Sequence, residues 1–289
     1  MPASCGRKDS EEEGFRQGIA VRLTTDGGGS PTWSPDGEVI VYTNLGGLWM
    51  IATEGDDPVR IGPTDLTLLH PNFLPHLGQR RLAFVALSPE DGYSIGGLNL
   101  GIQEPDETWL SYPEEISSIT WLRSGRQVAF TTTSLNGVAI YDLETKKTSL
   151  LPREEGWPNP TTHVAASPTD DFIYFIEAGE VSRLFTIPSA GGLALEIAFI
   201  PPHYLGETLT YQSLAPSWDG TRLAITIGSR TGGPENWSLW GIPVIGSGMV
   251  QYTDPQSTSD CRNPSWSPDG TGLAFECLGQ IWLLLGLEH

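Results

Sequence analysis

The sequence predicts an all-β fold: a six-bladed β-propeller of four-stranded blades, with the ring closed by the N-terminal strand pairing into the last blade. Three observations predict it. Composition favours turns, since 34 Gly and 23 Pro among 289 residues leave little room for long helices. A turn-plus-strand unit recurs six times. An unclaimed strand precedes the first unit, and the last unit is one strand short.

The units follow in order. Pro31–Gly37 (Pro-Thr-Trp-Ser-Pro-Asp-Gly) precedes the apolar strand Val39-Ile40-Val41-Tyr42. Asn72–Pro75 precedes Leu82-Ala83-Phe84, and Trp121–Gly125 precedes Val128-Ala129-Phe130. Ala166–Asp170 precedes Phe172–Phe175, Pro216–Gly220 precedes Leu223-Ala224-Ile225, and Pro264–Gly270 precedes Leu273-Ala274-Phe275. Aligned on the Trp position, these units stand at 33, 73, 121, 166, 216 and 266, at intervals of 40, 48, 45, 50 and 50. That is the length of one four-stranded blade. In Ser-Pro-Asp-Gly, Pro presets φ, Asp tolerates the next position and Gly takes the left-handed residue that closes the hairpin. The following strand is apolar on both faces, as expected where neighbouring blades cover both sides. Third strands follow at Leu48–Ile51, Val138–Tyr141 and Gln280–Leu283, and fourth strands at Val59–Ile61 and Ser149–Leu151. The last unit ends near Leu285 after three strands, and Ile19–Thr24 is the strand that completes it, leaving no long edge exposed. The expected organisation is a tether at 1–18, the propeller at 19–286, and a purification-tag remnant at 287–289.

The first and last units, with Arg22-Leu23-Thr24-Thr25 before the first, resemble the WD40-like repeat of the TolB propeller, and the resemblance runs from about residue 19 to the end. It implies the propeller fold and a non-catalytic binding or interaction scaffold of the cell envelope. TolB also carries an N-terminal α/β domain that contacts other envelope components, and these 289 residues leave no room for it.

Charge narrows the partners. With 16 Lys and Arg against 35 Asp and Glu, the net charge of −19 repels nucleic-acid phosphates and anionic membrane surfaces. No apolar run is long enough to span a membrane as a helix. The expected partner is a protein or glycan held at one propeller face by a monomer.

Three cysteines bear on compartment. If Ser267 and Thr271 pair across their turn, Cys261 and Cys277 fall opposite each other, as a disulfide or as two buried thiols. Cys5, in Ala3-Ser4-Cys5-Gly6 before a polar run, fits the start of a lipoprotein after signal removal, although Pro2 stands where Leu is usual. It fits equally an arbitrary Cys in a tail. A lipidated Cys5 and a bridge would both place the protein outside the cytoplasm; two thiols would suit the cytoplasm.

Three residues before each Trp position stand Ser30, His70, Ser118, His163, Ser213 and Asn263. In a common register these form a polar ring around the central channel, either as a wet wall or as a ligand site. His203 enters near the fifth unit, but two or three histidines without further ligands do not make a metal centre, and no metal or other cofactor is expected. The loops entering the innermost strands and those joining second to third strands share one face. Tyr93, Trp157, Tyr204 and Trp237 lie in or beside them, a composition suited to binding. Gly92-Tyr93-Ser94-Ile95-Gly96 matches the nucleophile-elbow pattern but has no helix after it. Glu114-Glu115 and Glu154-Glu155 lie in loops, where neighbours seldom point together. No catalytic residue is assigned; the alternative to a scaffold is a carbohydrate-active enzyme at the channel mouth.

Overall fold

The computed structural model describes residues 17–287, apart from 77, 102–103, 106–107, 170, 198–208, 230–236, 246–247 and 255–259. Among these every regular element is a strand. The strand β1 (Ile19–Arg22) comes first. Blade one contains β2 (Gly29–Trp33), β3 (Val39–Asn44), β4 (Gly47–Ala52) and β5 (Val59–Ile61). Blade two contains β6 (Thr67–Phe73), β7 (Arg81–Ser88), β8 (Gly92–Asn99), and two short strands, β9 (Glu104–Pro105) and β10 (Leu110–Tyr112), that both pair with β8. Blade three contains β11 (Ile116–Trp121), β12 (Gln127–Thr132), β13 (Ala139–Asp142) and β14 (Lys147–Leu150). Blade four contains β15 (Thr161–Ala166), β16 (Phe172–Glu177), β17 (Arg183–Pro188) and β18 (Leu195–Glu196). Blade five contains β19 (Leu209–Pro216), β20 (Arg222–Ser229), β21 (Ser238–Pro243) and β22 (Val250–Gln251). Blade six contains β23 (Arg262–Trp266), β24 (Gly272–Cys277) and β25 (Gln280–Leu285), and β1 is its fourth strand. The closing register runs from Ile19 opposite Leu285 to Arg22 opposite Trp282.

The turn chemistry behaves as the residues dictate. Ser34 N donates to Val39 O at 2.9 Å, and Gly37, at φ 78°, donates to Ser34 O at 3.0 Å. Ser34 Oγ donates to Asp36 and accepts from Val39 N. Ser217 with Asp219, and Ser267 with Asp269, repeat this arrangement.

Each middle strand faces two interfaces. Along β7, Ala83 and Val85 pack toward blade three while Leu82, Phe84 and Ala86 pack toward blade one. Buried apolar clusters therefore lie between every pair of neighbouring blades. Each fully buried aliphatic or aromatic side chain there contributes about 1.5–3 kcal/mol. Hydrogen bonds add a second tie. Immediately before the Trp position, Thr32, Asn72, Thr120 and Ser265 each accept a backbone N–H from the next blade, that of Phe73, Trp121, Ala166 and Trp33 respectively. Between blades four and five both partners of this tie are missing together, because Ala165 has no polar side chain and Pro216 has no N–H.

One detail differs from the sequence reading. Leu287, set aside with a tag remnant, is buried in the cluster between blades five and six, and its N–H bonds to Thr271 O at 2.9 Å. Ser94 lies inside β8 opposite Ala86 and Ser111, so the Gly92–Gly96 match forms no elbow.

Candidate binding site

Ser30, His70, Ser118, His163, Ser213 and Asn263 all line one central cavity, to which the six innermost strands contribute. Their positions coincide with irregularities in pairing, since every innermost strand shifts register at or beside its ring residue. A bulge turns a side chain that would lie in the sheet toward the lumen. At Ser30, His70 and Asn263 the backbone takes left-handed φ values of 46°, 49° and 54°, and each is followed by proline.

Five ring members are committed to neighbouring blades. Ser118 Oγ exchanges bonds with Val164 N and O, both at 3.2 Å. His163 Nε2 meets Leu214 O at 3.3 Å. Ser213 Oγ accepts Asn263 N at 3.0 Å. Asn263 Nδ2 donates to Glu276 at 3.0 Å and reaches Ser30 Oγ at 3.5 Å. His70 is the exception: among the described residues it has no hydrogen-bond partner. Both imidazoles keep some surface on the lumen, yet protein surrounds them on nearly every side. Burial brings His70 down to about 4. Burial, helped by repulsion from His70, brings His163 to about 4 as well. Both are neutral at pH 7.

The cavity holds about 160 Å³. Its wall runs from the ring to the carboxyl ends of the innermost strands and beyond, to Pro75, Pro168 and Trp218. It therefore reaches the face that carries the Ser-Pro-Asp-Gly turns, opposite the face expected to bind. Among the described residues no carboxylate, Lys or Arg lines it, so it offers no pair of carboxylates for glycoside hydrolysis. No group of three metal-ligating side chains occurs among the described residues.

The expected aromatic face is built differently. Trp237 is 7% exposed and fills a slot over Gly228, where a Cβ would lie 2.6 Å from its ring. Trp157 packs on Phe175 with ring centroids 5.0 Å apart and donates from Nε1 to Leu151 O. Tyr93 packs against the cluster between blades two and three. These rings serve blades because glycine and loop backbone opposite them leave room for an aromatic plane. Tyr204, His203 and Cys5 lie outside the described residues.

What that face does present is leucine. Asn44 pairs with Gly47, and Cys277 with Gln280, so Leu45-Gly46 and Leu278-Gly279 are two-residue hairpin loops. Their φ values, 47° and 71° in the first and 54° and 71° in the second, define type I′ turns. Leu45 is 89% exposed and Leu278 50%. Both tips, on adjacent blades, bond one loop: Asn44 Nδ2 donates to Asp26 O, and Gly27 N donates to Gln280 Oε1, each at 3.1 Å. A preference for Asn or Gly in αL is visible in sequence, but that these tips form two-residue I′ loops is decided by pairing.

Cys261 and Cys277 form a disulfide. The turn register is one residue off the expected one, with Trp266 opposite Leu273, and the irregularity between Arg262 and Ser265 shifts it back so that Arg262 faces Glu276. The bulge that turns Asn263 to the channel thus also brings the cysteines together.

Solved structures similar to the chain include a protein assigned as TolB from Agrobacterium tumefaciens, at TM-score 0.69 and 14% identity over 92% of this chain and 96% of that one. TolB from Acinetobacter baumannii matches at TM-score 0.64 and 16% identity, over 92% of this chain and 66% of that one. The chain shares the TolB propeller fold. The β-propeller domain of Cps50 (Swd1) from Myceliophteria thermophila is also similar, at TM-score 0.63 and 12% identity over 92% of this chain and 99% of that one. Neither a protein-family model nor a curated protein sequence matches the chain.

Proposed function

We propose that this TolB-like propeller is a protein-binding scaffold of the cell envelope that engages its partner through the face carrying Leu45 and Leu278. The single observation behind this reading is the pair of tips. A leucine in the left-handed region costs about 1 kcal/mol, and asparagine or glycine would avoid it. Leu45 bears that cost almost wholly in solvent, and the half-exposed Leu278 repeats the same turn on the adjacent blade, which supports a role for those side chains outside the folded chain. The charge of −19 suits a partner with basic residues around an apolar pocket. Extracytoplasmic placement is supported by the disulfide, which persists in oxidising compartments. The loop aromatics become supports of the blades in this reading.

A photo-cross-linking residue at position 45, in cells, tests it. One partner should be captured, and Leu278→Asn on the neighbouring tip should abolish the capture. The same cross-linker at Val59, exposed on the outer strand of blade one, should capture nothing comparable. Equal capture from both positions, or capture indifferent to Leu278→Asn, overturns the proposal.

A further inference from the structure

The channel cavity is independent of the leucine tips and lies toward the other face. Its composition is selective. An overall charge of −19 coexists with a wall on which, among the described residues, no ionised side chain appears. A charged ligand entering it would lose water without gaining an opposite charge. A closed cavity of about 150 Å³ accepts benzene, so about 160 Å³ admits one six-membered ring, whose exocyclic groups can project through the open rim. The floor and the rim differ in kind. The floor is the ring of hydroxyls, amide and imidazoles; the rim is Pro75, Pro168 and the partly exposed Trp218. A ring with hydroxyls on one side and C–H groups on another complements both.

One floor group is unspent. Ser30, Ser118, His163, Ser213 and Asn263 bridge blades, while His70 has no hydrogen-bond partner among the described residues and is held at φ 49° in the wall. A neutral imidazole offers one donor and one acceptor, which is what a sugar hydroxyl pair uses.

We infer that the channel cavity binds one uncharged hexopyranose ring, with His70 hydrogen-bonding a ring hydroxyl and the prolines and Trp218 covering its C–H edge. The sugar is free or is the end unit of a glycan. No bond is made or broken in this site.

Saturation-transfer NMR on the full chain at pH 7, with methyl glycosides of neutral hexoses at millimolar concentration, is the test. Methyl glucuronide and methyl 6-amino-6-deoxyglucoside serve as charged analogues, and neutral disaccharide glycosides as glycan ends. At least one neutral glycoside should bind, with both charged analogues about tenfold weaker or more. His70→Leu should abolish the signal and His70→Gln should retain part of it, both with a wild-type urea midpoint to within the effect of one surface change. Binding of monosaccharides identifies a free sugar; binding of disaccharides alone identifies a glycan end. Absence of any neutral signal, equal binding of the charged analogues, or an undiminished signal in a folded His70→Leu protein overturns the inference. Leu45→Asn should leave sugar binding unchanged, so failure here is separable from failure of the protein-binding reading.

Discussion

Replacing Leu45 by asparagine should stabilise the protein, against the usual sign for removing a leucine, while the same change at Leu278 should be close to neutral. Both residues occupy the first position of a type I′ turn, at φ 47° and 54°. For leucine that conformation costs roughly 1–2 kcal/mol, most of which asparagine recovers. Against this stands the apolar surface lost. Leu45 is 89% exposed, so almost nothing offsets the gain there. Leu278 is 50% exposed, and giving up half of its burial costs about 1 kcal/mol. The expected changes are therefore about +1 kcal/mol for Leu45→Asn and near zero for Leu278→Asn. Urea unfolding followed by Trp fluorescence, with the slope unchanged, reads both midpoints. In a domain of this size, 1 kcal/mol corresponds to about 2–4 °C in Tm. Loss of stability in Leu45→Asn would refute the strain argument, and with it the reason for assigning the tips a role beyond folding.

Three further expectations follow from the same geometry. Arg153 and Glu177 form an ion pair at 6% and 1% side-chain exposure, with the guanidinium over Trp157, Phe175 and Phe185. Arg153→Met should cost about 3–5 kcal/mol by stranding the carboxylate, whereas adding Glu177→Leu should restore most of it in a double-mutant cycle. Thr120→Val keeps the shape but orphans Ala166 N–H, and urea unfolding should register a loss of about 1–3 kcal/mol. His70 and His163 titrate near 4 when folded and at 6.5 when free, so the unfolded chain takes up their protons first. Their contribution is complete above pH 6.5 and disappears as pH falls toward 4, by about 2 kcal/mol each after allowance for lumen water. Unfolding free energies across that window should flatten in His70→Gln/His163→Gln; an unchanged slope would place the titration elsewhere.

How much was legible in the sequence depended on the range of the interaction. The blades were legible because Ser-Pro-Asp-Gly makes its own turn, and because each middle strand, such as Leu82–Ala86, is apolar on both faces. The polar ring was legible because a repeat carries equivalent positions to equivalent places. The fate of the aromatics was not, because Trp237 became a packing residue through Gly228 on another strand. The direction of the cavity was also hidden, since it depends on six strands bulging around one axis.

The sequence by itself determined the repeat, the six blades, the closure of β25 by β1 and the residues of the ring. All of these follow from local turn chemistry and a fixed period. Only the tertiary structure decided that the register at Trp266 returns through the bulge at Asn263 to bridge Cys261 with Cys277, and that His70 has no hydrogen-bond partner among the described residues. Those outcomes depend on which backbone and side-chain groups of the next blade lie opposite once the ring is closed.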